Sequence, residues 1–215
     1  MRVTAHTVNA PHRLHEEAER RQIPGLKATV PDKHLVYRDT AASDQKPPAL
    51  IDAESDVYER YYSNIHRGVH KLSVLATDAY EKARGRVREF LGAAEAREII
   101  LLRGASEACI LVAWSWGLKN VGEGDEVLIT GLEHHSNSVP WQMLCEEKGA
   151  KLRVAPIDDA GVVDLEEFER LLGPRTRIVS VSHISNALGT VNPVKRMTEL
   201  AHAAGAVVMI DGAQA

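Results

Sequence analysis

The sequence lacks several features, and each lack excludes something. No run approaches the ~18 apolar residues a membrane-spanning helix needs, so no integral membrane span is expected. There is no basic stripe. Lys and Arg total 26 against 30 Asp and Glu, a net charge of -4, so nucleic acid is not an expected partner. Only two cysteines occur, Cys109 and Cys145, too few for a disulfide framework and consistent with a reducing compartment. The first residues carry no apolar stretch of the secretory kind, and Glu16, Glu17 and Glu19 interrupt any transit-peptide character, so a cytoplasmic location is expected. No internal repeat or low-complexity tract is present. What remains is 215 residues, 44% hydrophobic and 26% charged, an ordinary globular balance. At roughly 100–200 residues per domain that is one or two domains.

Residues 1–34 are polar, rich in His, Arg and Pro, and read as an arm or a short leading helix around 13–22. A short strand is expected at Leu35–Tyr37. Pro47 and Pro48 suit a helix start, so a helix is expected through residues 49–62. A loop follows over 63–76. A second helix is predicted over Thr77–Leu91, capped by Thr77, ended by Gly92, with Tyr80, Ala83, Val87, Phe90 and Leu91 on one face.

From Ile99 onward, strands and helices alternate. Strands are expected at Ile99–Leu102, Glu126–Thr130, Leu152–Ala155, Arg177–Ser182 and Ala206–Ile210. The runs VLI, IVSV and AVVMI suggest strands buried on both faces. Helices are expected at Ser106–Trp116, Ser138–Lys148, Asp164–Leu172 and Val194–Ala204. The first is apolar nearly all round and reads as buried. The third opens with a capping box, Asp164 and Glu167, and sets Leu165, Phe168, Leu171 and Leu172 on one face. The fold class that follows is α/β, a mostly parallel sheet with flanking helices and right-handed crossovers. Ligands of such sheets bind beyond the carboxyl ends of the strands.

Four of those ends carry polar residues. Gly104, Ala105 and Ser106 open a helix whose first N–H groups suit a phosphate, although this segment alone favours Ser106 as a plain N-cap. His134 and His135 follow the second strand and could serve a ring, a metal or a proton, or simply be solvated. His66 and His70 are spaced i, i+4, but Gly68 between them and the lack of an HExxH pattern argue against zinc. Asn186 and the Gly189 turn follow Arg177–Ser182. Asp211 ends an apolar strand, where a carboxylate is costly without a cationic partner; it could also cap a following helix. Together these residues offer an anion cradle, a stacking ring, a hydroxyl partner and an acid for a ring nitrogen. That set fits pyridoxal phosphate (PLP).

The segments YRDTAASDQKP (37–47), IHRGVH (65–70), RGASEA (103–108), LVAWSWG (111–117), EHHSNSVPWQMLC (133–145), SNALGTVNP (185–193) and DGAQA (211–215) run in one order. In that order and spacing the sequence resembles the N-terminal portion of group II (SufS/CsdA-like) cysteine desulfurases, also called selenocysteine lyases, within the class V aminotransferases. The likeness runs from about residue 35 to the last residue. It implies a PLP-dependent transferase of fold type I, with 35–215 as part of the PLP-binding large domain and 1–34 as a leader.

The resemblance also assigns roles. Ala105 and Ser106 match the phosphate-binding pair, Ala105 standing where a hydroxyl residue is usual. His134 matches the histidine that stacks on the pyridine ring and assists proton transfer. Asn186 lies near the ring hydroxyl and substrate, Gln214 bonds that hydroxyl, and Asp211 pairs with the ring nitrogen. His66 and Arg67 match a substrate-entrance loop near the dimer partner. Arg38 stands where the family has Leu, and Ile110 and Trp114 where it commonly has Asn. The family holds PLP covalently on a lysine in an SGHK segment a little beyond the DGAQA stretch, and its nucleophilic cysteine lies further on. Neither Cys109 nor Cys145 matches that cysteine; both read as packed thiols. The expected activity is therefore desulfuration of L-cysteine (or selenocysteine), for iron-sulfur cluster or other sulfur supply. A homodimer and a sulfur-acceptor protein are the implied partners. The chain is expected to be a truncated form carrying most of the cofactor cradle. The alternatives are an inactive remnant that at most binds PLP or a partner subunit, and a selenocysteine lyase or epimerase-like enzyme.

Overall fold

The computed structural model describes residues 22–27, the backbone of 29–30 and 33–34, and residues 37–215. The expected helix around 13–22 lies outside them except for Gln22, which is in a turn. Of the expected strand at Leu35–Tyr37 only Tyr37 is described, and it is not in a strand. The described residues form two compact units that divide between Leu101 and Leu102.

In the first unit a short 3-10 turn, Pro24–Lys27, precedes an antiparallel hairpin of β1 (Thr29–Val30) and β2 (Lys33–His34). Helix α1 (Pro48–Asp56) starts with Pro47 at the N-cap and Pro48 at the first helical position, as the two prolines predict, and widens into a π turn over Val57–Tyr61. Helix α2 spans Lys71–Leu91 and ends at Gly92 in the left-handed conformation. It begins six residues earlier than Thr77. His70 is the cap, its Nδ1 accepting from Ser73 N, while Thr77 Oγ1 donates back to Ser73 O at 2.7 Å inside the helix. The part of the expected loop from residue 71 on is therefore helical. The apolar face also differs: Ser73 and Ala76 are the buried residues of α2, while Phe90 is 89% exposed. Residues 99–102 form no strand. Ile99 is extended, but no ladder pairs the segment, and a strand without a neighbour leaves its backbone groups to water.

The second unit is a four-stranded parallel sheet in the order β4-β3-β5-β6, made of β3 (Glu126–Thr130), β4 (Lys151–Ala155), β5 (Thr176–Ser182) and β6 (Val207–Asp211). Four helices flank it. α3 (Ala105–Val112) runs on through a π turn at Ala113–Gly117 to Leu118–Asn120. α4 covers His135–Lys148, α5 Leu165–Leu171 and α6 Val194–Ala203. The period-two alternation of strands divides the core. Val127, Ile129 and Ile178 pack with Ala113, Trp141, Leu144 and Cys145. Leu128, Val179 and Val181 pack with Phe168, Met197, Leu200 and Ala201. Both faces of β3 and β5 are thus covered. β6 is not: it is an edge strand, and Val207 and Ile210 are about 40% exposed.

Two local expectations need correction. α3 is not buried all round, because only Cys109, Ala113 and Gly117 are covered while Ile110, Leu111 and Trp114 face outward. The capping box of α5 is half formed. Asp164 Oδ1 accepts from Glu167 N at 3.0 Å, but the Glu167 carboxylate turns to Arg170 instead of returning to the cap. Phe168 is fully buried, and Leu165, Leu171 and Leu172 pack beside it as that face requires.

Candidate functional site

Parallel connections bring the carboxyl ends of β3, β5 and β6 to one edge of the sheet. Three of the expected site segments leave the sheet there.

The turn after β3 carries Glu133 and His134. His134 is the N-cap of α4, and its Nδ1 accepts from Ser136 N at 3.1 Å. A backbone N–H can only donate, so the neutral ring carries its proton on Nε2. The ring is exposed. His135 lies edge-on to it with the centroids 6.1 Å apart, so the two rings face different directions.

The loop after β5 folds back on itself. Ile184 and Val191 form an antiparallel bridge. Ser185 Oγ accepts from Ala187 N and Leu188 N, and Gly189 takes a positive φ of 71°. Asn186 rides exposed on this loop. Leu188 of the same loop lies over Gly161, where an added Cβ would come within 2.4 Å of its Cδ1. Asn192 closes the loop, its Nδ2 donating to Ser182 O at 2.8 Å.

Asp211 is the last residue of β6 and is 9% exposed. Its Oδ1 accepts from Ala213 N, and its backbone O from His183 N. Among the described residues no Lys, Arg or His forms an ion pair with it. Gln214 follows, half-buried.

At the start of α3 the N-cap is Gly104, not Ser106, and no side chain caps the helix. Ala105 and Ser106 are its first two residues, so their N–H groups have no helical partner. The Ser106 hydroxyl is exposed.

Beneath this edge lies a polar network that sequence reasoning missed. Glu133 Oε1 accepts from Thr130 Oγ1 at 2.6 Å and from Ser182 N at 3.1 Å. Its Oε2 accepts from Asn137 Nδ2 at 2.6 Å. Asn137 Oδ1 in turn accepts from Ser180 Oγ at 2.5 Å and Trp141 Nε1 at 3.2 Å. Burial pushes the Glu133 carboxyl above its ordinary value against the pull of these donors, and the charge of Asp211 acts in the same direction as burial. Cys109 Sγ touches Asn137 Oδ1 at 3.9 Å. Burial first, then Asp211 and Glu133, push its thiol up to about 11. Burial does the same to Cys145, also to about 11. The signal in the sequence was the i, i+4, i+8 series Glu133, Asn137, Trp141, one stripe of α4 extended to the residue before its His134 cap.

His66 and Arg67 belong to the first unit. His66 has a positive φ of 67°. Its N donates to Thr77 Oγ1, and its Nε2 lies 2.7 Å from Glu81 Oε1. The His66 contact, then Arg84, hold the Glu81 carboxyl below its ordinary value. Arg67 is exposed. His66 and His70 have separate partners, and no group of three or more His, Cys, Asp or Glu side chains suited to a metal ion occurs among the described residues.

The aminotransferase class-V family model matches residues 36–215. The chain belongs to that family. A protein of Mycolicibacterium paratuberculosis named probable cysteine desulfurase is 55% identical over 197 residues, which cover 92% of this chain and 29% of the relative. The solved apo cysteine desulfurase of Thermococcus onnurineus superposes with a TM-score of 0.83 at 35% identity, over 91% of this chain and 47% of that one. The cysteine desulfurase CsdA of Escherichia coli does so at 0.78 and 33%, over 97% and 50%. The chain thus spans about half the length of these solved proteins and less than a third of that relative. The CsdA-like resemblance and the parallel α/β fold expected from the sequence agree with these matches. No helix among the described residues is long and apolar enough to cross a membrane.

Proposed function

We propose that this chain is the cofactor-cradling part of a PLP-dependent cysteine desulfurase acting on L-cysteine. The observation that carries the reading is Asp211: a nearly buried carboxylate at a strand end with no ion-pair partner among the described residues. Such a group needs a cation, and a protonated ring nitrogen supplies one. The donor set around it fits the rest of the cofactor. The open N–H groups of Ala105 and Ser106 suit a phosphate, with the Ser106 hydroxyl as a further donor. His134 offers a ring to stack and a proton on Nε2. Asn186 and Gln214 offer amides to the ring hydroxyl. When bound, PLP supplies an electron sink for bonds at the substrate's α-carbon.

The names of the similar proteins support the substrate. The reaction removes sulfur from L-cysteine and leaves L-alanine, the sulfur passing to an enzyme cysteine as a persulfide. Cys109 and Cys145 are poor candidates for that thiol, since both are buried and hold their protons to about 11. We assign residues 35–215 to part of a PLP-binding large domain, with residues 1–34 as an N-terminal arm or leader. His66 and Arg67 are taken as substrate-entrance residues. A homodimer, a sulfur-acceptor protein and a cytoplasmic setting complete the reading.

The test is a titration of the purified chain with PLP followed by visible absorbance. Saturable binding is expected, weakened at least about tenfold by Asp211→Ala, since an ion pair of this kind contributes more than ~1.4 kcal/mol. No binding by the unsubstituted chain would overturn the proposal.

A further inference from the structure

We propose that Glu133 is a positioning residue for the ring site: held as a carboxylate, it fastens the His134 turn to the end of β5 and adds a second negative charge beside Asp211. The inference rests on the PLP reading above and extends it to a residue outside the expected contacts.

Donor-only N–H groups fix the main directions of the network. Trp141 Nε1 can only donate, so the Asn137 atom it meets is the oxygen. The Asn137 amide nitrogen therefore faces Glu133 Oε2 and donates to it. Ser182 N can only donate, so Glu133 Oε1 accepts. Thr130 Oγ1 accepts from Leu132 N and spends its own proton on Glu133 Oε1. Both oxygens of Glu133 are thus acceptors, and three donors converge on them. A neutral acid could aim its O–H only at Thr130 Oγ1, and the Thr130 hydroxyl proton would then lose the acceptor it has here. The network is satisfied by the anion.

Two placements give that anion its role. The β3–β5 ladder runs from Glu126 to Ile129, which pairs with Ser180, and stops there. Ser182 N lies beyond it, and the Glu133 carboxylate takes the place of the absent strand backbone. Glu133 therefore joins the turn holding the next residue, His134, to β5. Ser182 is also the register partner of Asp211 on β6. Neighbouring strands lie about 4.8 Å apart, so the two carboxylates share one end of the sheet. The titratable groups facing Glu133 are Asp211 from β6 and Cys109 from α3. No cationic side chain forms an ion pair with either carboxylate among the described residues. Two negative charges and no positive one favour the protonated form of a bound ring nitrogen more than Asp211 alone would.

The test uses PLP isotopically labelled at the ring nitrogen, bound to the chain, with the nitrogen NMR shift read against pH. Glu133→Gln is expected to lower the pH at which the ring nitrogen loses its proton by about one unit, a tenfold change, and Glu133→Asp to restore most of it. A packing role alone would not move this readout. If the unsubstituted chain binds PLP and Glu133→Gln titrates identically, the inference falls and the PLP reading stands. If the unsubstituted chain does not bind PLP, the reading itself falls and the inference with it. A second measurement needs no variant. The carboxyl carbon shift of Glu133 in the unsubstituted apo chain is expected to be that of a carboxylate near neutral pH, and the shift of a neutral acid there would overturn the inference.

Discussion

Trp141 orients Asn137: the indole N–H reaches the amide oxygen at 3.2 Å from one helical turn further along α4, and both side chains are fully buried. One amide therefore serves Trp141, Ser180 and Glu133 together. Asn137→Ala should leave those groups without a partner and cost about 2–4 kcal/mol. Asn137→Asp should cost at least as much, because it turns a carboxylate toward Glu133. Urea denaturation read by far-UV circular dichroism gives both values. A loss under ~1 kcal/mol for either variant would show that the network is not closed.

His134 has two separable duties. As N-cap of α4 it accepts from Ser136 N, and caps contribute about 1 kcal/mol. His134→Asn should keep the cap and the stability, whereas His134→Ala should lose about 1 kcal/mol. Both should weaken PLP binding, since both remove the ring. Equal stabilities for Asn and Ala would remove the capping role.

At His66 the left-handed backbone is carried by a residue with a Cβ, which costs about 1 kcal/mol. His66→Ala keeps that strain and loses the Glu81 contact. His66→Gly loses the contact but not the freedom to adopt the conformation. The Gly variant should therefore melt above the Ala variant, by about 1 kcal/mol in stability. The reverse order would contradict the backbone conformation at this position.

The buried thiols tie stability to alkaline pH. Their ordinary value is 9.0, and in the folded chain both are pushed up to about 11. The folded state keeps these protons longer than the unfolded one, so their contribution is complete below pH 9.0 and is lost as pH rises through about 11. Each thiol accounts for at most ~3 kcal/mol. Replacing both with Ala should flatten this part of the stability profile, and alkylation of the native chain below pH 9.0 should be slow at both positions. Rapid modification of either thiol in the native chain would contradict its burial.

Legibility in the sequence followed how local each cause was. β3 and β5 could be read because strands covered on both faces must be apolar throughout, and α5 because Asp164 caps it from the adjacent position. β6 had the same apolar run but is half-exposed, since a run records what a strand could bury and not which neighbour it has. The start of α2 was misplaced because its cap is a histidine, a residue whose capping depends on the ring lying over Ser73. Residues 99–102 looked like a strand and found no ladder. Of the proposed site residues, Asp211 ends β6, and His134 and Asn186 lie four residues beyond the ends of β3 and β5, positions that the strand pattern alone points to. Glu133 was not: Thr130, Asn137 and Ser182 come from three elements, and only folding makes them one network.

Gly161 and Leu188 lie on different connections, one after β4 and the other after β5, yet the first leaves room for the second. The loop that presents Asn186 therefore rests on a gap in a segment that touches no site residue. An alanine at Gly161 would press its methyl on Leu188 of the Asn186 loop without replacing any site residue, and would also carry a side chain at a φ of 75°. Tolerance to substitution there gauges how firmly the Asn186 loop must be held, and it can be read without any ligand at all.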